Sequence, residues 1–314
     1  MIITILSGGV GGARFARGVR EHLRRTGSDA ELRIVVNTGD DMWLAGLRIT
    51  PDLDSVMYTL AGANDEVRGW GRIGETERVS AELNAYGVGW PWFTLGDLDL
   101  GTHIARSAFL KEGLTLSEAT ARIQARWDVG ASLIPVTDSE VETHVVVEGG
   151  SMHFQEWWTR HRASVSALGF EQRGVSSATA TDAALAAIAD ADVVLIAPSN
   201  PVVSIGTVLG IPGIRAALAA TKAPVVGVSP IINGAVVRGM ADACLTAIGV
   251  ETSAEAVARH YGARSAGGLL DAWLIDNSDS ADVDGIDVHS VPLWMADIDT
   301  SAQLAADALK AAGL

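Results

Sequence analysis

Apolar residues fall into two alternating patterns along this chain. Short runs rich in β-branched residues, at 2–6, 32–36, 132–135, 193–197, 225–229, 272–275 and 288–291, have the length and character of buried strands. Two further runs, 143–147 and 152–154, flank Glu148-Gly149-Gly150-Ser151 and read as a hairpin. Between the runs the period changes. Phe15, Val19 and Leu23 recur every four positions after Ala13, and Val56, Met57 and Leu60 continue a helix opened by Pro51 and the acids Asp52 and Asp54. Further helices are predicted from near His103, from the capping box Thr115/Glu118 to about Trp127, and over 182–189. Thr252 with Glu255 would cap a helix stopping at Gly262, and Thr300 with Gln303 the last one.

This alternation predicts an α/β fold: a Rossmann-like parallel sheet core flanked by helices. Residues 1–44 and 161–314 would form the core, with 45–160 inserted as a more helical lobe closing a cleft against it. Composition adds exclusions. A net charge of −15 without a basic stripe argues against nucleic-acid binding. Cys244 is the only cysteine, so neither a disulfide framework nor a thiolate metal cluster is available. The start lacks a signal peptide's basic region, and the uncharged run 193–214 is broken by Pro198, Pro201 and Pro212. No membrane span is expected, and a cytoplasmic location is.

Candidate chemistry begins at Ser7-Gly8-Gly9-Val10-Gly11-Gly12, between the first strand and helix. Such a turn closes on a phosphate at a helix N-terminus, or its glycines serve packing alone. It is neither a dinucleotide fingerprint, because Arg14 stands at the third glycine, nor a Walker loop, because the lysine is absent. Three acidic pairs follow: Asp40 and Asp41, Asp52 and Asp54, Asp97 and Asp99. Beside a phosphate loop they suit Mg²⁺, while individually each also suits a helix cap or a solvated loop. Pro198-Ser199-Asn200-Pro201 and Ser229-Pro230-Ile231-Ile232-Asn233-Gly234 end successive strands, as contacts for a phosphate or nucleoside or as rigid turns. His103 adjoins the Asp97/Asp99 segment, whereas His144 and His153 lack metal-ligand spacing. Nine tryptophans against three tyrosines and five phenylalanines leave one or two to stack on a flat ligand. Serine-hydrolase and zinc-protease motifs are missing.

In series, SGGVGGARFARGV, NTGDDMWLAGLRITPDLDSVMYTLAG, LGDLDLGTHIARS, HFQEWW, APSNPVVSIG, SPIING and RGMAD closely resemble the 2-phospho-L-lactate transferase family of coenzyme F-420 biosynthesis, CofD in archaea and FbiA in actinobacteria. The resemblance implies transfer of a phosphoenolpyruvyl or 2-phospho-L-lactyl group from a guanosine diphosphate-linked donor to the terminal ribityl hydroxyl of the deazaflavin Fo. GMP is released, Mg²⁺ is required, and a homodimer is expected. Gly11-Gly12-Ala13-Arg14 and Trp157-Trp158 look like the bacterial, phosphoenolpyruvate branch. On this reading Gly8, Gly9, Gly11, Gly12 and Arg14 bind the diphosphate, and Ser199 and Asn200 hold the donor's nucleoside or acid end. Asp40 and Asp54 hold Mg²⁺ with Asp41 assisting, and Asp54 takes the hydroxyl proton. Fo meets Asp54, Thr94 and Asp97; at Thr94 archaeal relatives tend to carry lysine. Two other readings are a nucleotide-sugar-binding regulator of the YvcK type and a nicotinamide-dependent oxidoreductase.

Overall fold

A computed structural model describes residues 1–314. Its strands are β1 (Ile2–Ser7), β2 (Glu31–Val36), β3 (Met42–Leu44), β4 (Leu47–Ile49), β5 (Ser132–Pro135), β6 (Glu142–Val147), β7 (Gly150–His153), β8 (Gly169–Arg173), β9 (Val193–Ile196), β10 (Val225–Val228), β11 (Ile231–Ile232), β12 (Ala235–Val236), β13 (Ala272–Ile275) and β14 (Asp287–Ser290). Its helices are α1 (Val10–Thr26), α2 (Pro51–Leu60), α3 (Arg78–Ala85), α4 (Asp97–Lys111), α5 (Leu116–Gln124), α6 (Asp182–Ala189), α7 (Ile205–Gly210), α8 (Ile214–Ala220), α9 (Ala241–Ala247), α10 (Ala254–Tyr261) and α11 (Ile298–Ala311).

Seven strands, in the order β14-β13-β10-β9-β1-β2-β5, form one wholly parallel sheet. A parallel sheet is covered on both faces, which is why β9, β10 and β13 are buried along their whole length and read as unbroken apolar runs. Leu6, Val35 and Ile196 face α6, α8 and α10, whereas Ile5, Ile34 and Leu195 face α1, α2 and α11. From β1 the chain first runs outward to β2 and β5, then returns to β9 on the other side. The topological switch point therefore lies between β1 and β9.

Several elements depart from the predicted bounds. Helix α1 starts at Val10, so Gly11 and Gly12 lie in its first turn rather than in a loop. A Cβ on Gly11 would sit 2.7 Å from the Pro198 carbonyl, and one on Gly12 2.8 Å from Ser199 Oγ. The two glycines let the helix start lie against the loop after β9. Helix α4 starts at Asp97, which makes Asp97 and Asp99 its first turn. Ser253 caps α10 instead of Thr252, and Asp297 with Thr300 caps α11 one turn before Thr300 with Gln303. Cap-forming residues crowd those junctions; at α10 Ser253 takes the Ala256 N–H, and at α11 the pair that reciprocates both hydrogen bonds wins.

Residues 45–160 are not a lobe apart from the core. Strand β5 extends the main sheet, and Leu53, Val56, Leu116 and Ile123 of α2 and α5 share one core with Ile34. What stands off the sheet is the segment around α3 and a separate antiparallel sheet, β7-β6-β8, whose β6–β7 turn is only Glu148-Gly149. No helix is long and apolar enough to cross a membrane.

Candidate active site

The carboxyl ends of the parallel strands carry the loops that build the site. At the switch point the Gly8 N–H donates to Ser199 Oγ at 3.0 Å, joining the loops after β1 and β9. Above this junction opens a cavity of about 260 Å³, lined by Gly9, Gly11, Arg14, Ser199 and Asn200 on one side. The first-turn amides of α1 have no intrahelical acceptor and carry the positive end of a 17-residue helix. The far wall is Pro230, Ile232, Leu293 and the half-exposed indole of Trp294. Gly8 and Gly12 do not line the cavity: the first is occupied by Ser199 and the second packs against Ser7 and Ser199. Asn200 shapes its own loop, since Oδ1 accepts from the N–H groups of Val202 at 2.9 Å and Val203 at 3.2 Å. Its amide reaches the Cys244 thiol, which burial pushes up to about 12 and so keeps unreactive.

A second cavity, about 600 Å³, adjoins the first. It has an acidic floor of Asp40, Asp52, Asp54 and Asp99, and aromatic walls from Tyr58, Trp70, Trp92, Phe93 and Trp158. Trp92 stacks on Trp90 at 4.7 Å and 17°, and Phe93 stands edge-on to both. Thr94 lines this cavity as well.

The acids divide by what already neutralises them. Asp54 takes the Arg106 guanidinium on Oδ1 and the Thr50 hydroxyl, at 3.2 Å, on Oδ2. His103 stands between two carboxylates, its Nδ1 3.5 Å from Asp54 and its Nε2 3.2 Å from Asp99, which also accepts the Tyr58 hydroxyl at 2.8 Å. This network already holds its own cation. Asp41 is sealed away 3.6 Å from Arg48 and lines neither cavity; burial holds its carboxyl well above the usual carboxylate range against the pull of Arg48 and Arg106. Asp97 also lies outside both; it accepts from the Thr76 hydroxyl and the Val79 N–H, ties down the segment before α3, and is held below the usual carboxylate range by those bonds.

Asp40 and Asp52 are different. Burial and the charges of Asp52 and Asp41 hold Asp40 well above the usual carboxylate range, and burial pushes Asp52 to about 6. Asp52 Oδ2 accepts from Asn37 at 2.9 Å and Asp40 Oδ2 from Gln155 at 3.3 Å, but Asp40 Oδ1 is buried with no partner. No arginine or lysine pairs with either. A divalent cation fits here, on Asp40 and Asp52, rather than between Asp40 and the arginine-bound Asp54.

Gln155 follows the end of β7 by two residues, and His153 Nδ1 accepts the Gln155 N–H at 3.1 Å. Burial holds His153 down to about 4 from its ordinary 6.5. The folded state therefore binds fewer protons than the unfolded one between those values, and stability falls as pH drops from about 6.5 to about 4. The full loss is on the order of 3 kcal/mol. His153→Asn keeps an acceptor for the Gln155 N–H without titrating, and should flatten the pH dependence of the unfolding midpoint in that window. An unchanged slope would show that His153 is not the titrating group.

A family model described as 2-phospho-L-lactate transferase CofD matches residues 3–310. The chain belongs to the CofD family. It is 54% identical to a phosphoenolpyruvate transferase of Nocardia farcinica, over 99% of this chain and 95% of that protein. It is 52% identical to one from Mycobacterium ulcerans, over 100% and 99%. A solved UPF0052-family structure from Bacillus halodurans superposes with a TM-score of 0.63 over 98% of both chains, at 15% identity, and shares the fold. The chain is thus a transferase of the phosphoenolpyruvate/2-phospho-L-lactate type, and the family and α/β fold expected from the motifs hold.

In this CofD-family transferase the cavities gather Gly9, Gly11, Arg14, Ser199 and Asn200 on one side, and Asp40, Asp54 and Thr94 on the other. Asp52, read in the sequence both as a helix opener and as one of the acids suited to Mg²⁺, lines both. Arg106, Gln155, Arg238 and Trp294 were not legible as site residues. Each is brought to the cavities or to an acid that lines them by tertiary packing that no local spacing announces. Of the Trp157-Trp158 pair, Trp157 is core, its Nε1 donating to the Val165 carbonyl at 2.7 Å, and Trp158 lines both cavities.

Proposed function

We propose that this CofD-family transferase moves the phosphoenolpyruvyl, or 2-phospho-L-lactyl, group from a guanosine diphosphate-linked donor to the terminal ribityl hydroxyl of Fo, giving (dehydro-)coenzyme F-420-0 and GMP. The observation that carries the reading is two cavities with a common wall, one built on a glycine turn and a helix N-terminus, the other on carboxylates and aromatic rings. Two substrates of those two chemistries fit, a diphosphate-linked nucleotide and a flat heteroaromatic alcohol. A nucleotide-sugar-binding regulator needs only the first chamber.

The donor's diphosphate lies on the α1 amides near Gly9 and Gly11, with Arg14 offsetting its charge, and its nucleoside end meets the Pro230–Trp294 wall. Asp40 and Asp52 hold Mg²⁺, which when bound supplies charge neutralisation beside the diphosphate. The Fo ring lies among Trp70, Trp92 and Trp158, with its ribityl chain directed at Thr94 and the acids. Asp54, fixed by Arg106 and Thr50, orients the terminal hydroxyl and receives its proton. An ion-paired carboxylate suffices, because phosphoryl transfer through a loose transition state asks little of a base and much of positioning.

The test is incubation with Fo, Mg²⁺ and each of two donors, guanosine diphosphate-linked enolpyruvate and guanosine diphosphate-linked lactate, with GMP and the deazaflavin product followed by mass detection. GMP should appear only with Fo present, one per product, and faster from the enolpyruvyl donor. Binding of the donor with no GMP release would favour the regulatory reading.

A further inference from the structure

Among the residues that line both cavities, only Asp52 and Arg238 are charged; the others are Val10, Phe154, Trp158 and Met240. Asp52 is occupied by Asn37 and the neighbouring Asp40. Arg238 is not. It follows the β11–β12 hairpin, and its guanidinium makes a single long hydrogen bond, from Nη2 to the Gly69 carbonyl at 3.4 Å, with no acid to neutralise it. Gly69 has φ +81°, and a Cβ there would strike the guanidinium, so the side chain is laid across bare backbone at the mouth of the second cavity.

The hairpin that carries Arg238 is clamped at its tip. Asn233 and Gly234 turn with φ +54° and +67°, and their N–H groups donate to Asp279 at 2.9 and 2.8 Å. Arg14 provides the comparison. It lines the first cavity and a small cleft shared with Arg238, but not the second cavity. One guanidinium stands where only the donor reaches, the other where the two substrates meet.

We propose that Arg238 is a catalytic residue of the transfer, gripping the non-bridging oxygens of the phosphoryl group as it crosses between the chambers. The assignment rests on the two-substrate reading above. In the step, the acceptor oxygen bonds to phosphorus as the phosphorus–oxygen bond to the nucleotide breaks. That bond's electron pair leaves on the nucleoside monophosphate, and the hydroxyl proton passes to Asp54. At mid-transfer the negative charge is spread over the non-bridging oxygens and the departing oxygen, and a planar guanidinium with paired N–H donors and a permanent charge is suited to span them.

Steady-state kinetics of Arg238→Gln, Arg238→Lys and Arg14→Gln, with donor affinity measured by calorimetry in the absence of Fo, test this. Arg238 is exposed, so its removal should leave the unfolding midpoint in place. Arg238→Gln should lower kcat by about a hundredfold or more while donor Kd stays within about threefold, and Arg238→Lys should recover only a minor part. Arg14→Gln should instead act mainly on donor Kd. A kcat for Arg238→Gln within about threefold of wild type, or a loss accounted for by donor Kd alone, overturns the assignment and leaves the two-substrate reading standing. A wild-type protein that releases no GMP with Fo and donor overturns both.

Discussion

Asp52→Asn should lower turnover by about a hundredfold or more at saturating substrates, and raise the Mg²⁺ concentration needed for half-maximal rate. The same change should make the metal-free protein more stable at neutral pH. Asp52 is held at about 6 in the fold against an ordinary 3.8. The folded state thus prefers the protonated carboxyl, and its stability declines as pH rises from about 4 through about 6. A neutral amide removes that penalty, an upper bound of about 3 kcal/mol above pH 6 that fades to nothing below about pH 3. Asp40 and Asp52 titrate as a pair, so unfolding midpoints with and without Mg²⁺ across this range are the measurement. Asp97→Asn is the comparison, expected to keep turnover within about threefold because Asp97 lies outside both cavities. Equal losses in the two variants would remove Asp52 from the site.

Arg106→Leu should cost about 3–5 kcal/mol of stability, because it strands the buried Asp54 carboxylate beside His103 and Asp99. Adding Asp54→Asn to that variant should return part of the stability, since an amide needs no guanidinium, but none of the activity. Denaturant midpoints of the two single variants and the double variant measure the coupling. A loss below about 1 kcal/mol in Arg106→Leu would mean that the pair is solvated rather than sealed.

The sheet was legible because parallel strands buried on both faces read as continuous apolar runs, as Val193–Ile196 and Val225–Val228 do. Strand β8, Gly169–Arg173, was not: it is half exposed, and Glu171 and Arg173 break any apolar signature. The short helices α7 and α8 are likewise too brief and too rich in glycine and alanine for a period to show. In the site, the first acids of α4 illustrate the limit. Read as a loop, Asp97 and Asp99 are equivalent; in a helix they point different ways. Asp99 shares a face with His103 four residues on, while Asp97 is left to tie down the preceding segment. The partnership of Asp40 with Asp52, and the position of Arg238, depend on how loops from distant strands meet at one sheet edge.

The switch point between β1 and β9 also sets an order of assembly during synthesis. Ile3 of the first strand pairs with Val193, and the Gly8 amide waits for a serine 191 residues later. At roughly 5–20 residues per second, that wait is on the order of 10–40 s from a separation of 191 residues. Through it the nascent β1 edge has β2 on one side and nothing on the other, in a sequence rich in isoleucine and leucine. The glycine turn is the first part of the site to leave the ribosome and among the last to gain its ligand-binding shape. A chaperone requirement during expression would fall in that interval, and chains truncated before β9 should be captured by holdases rather than fold.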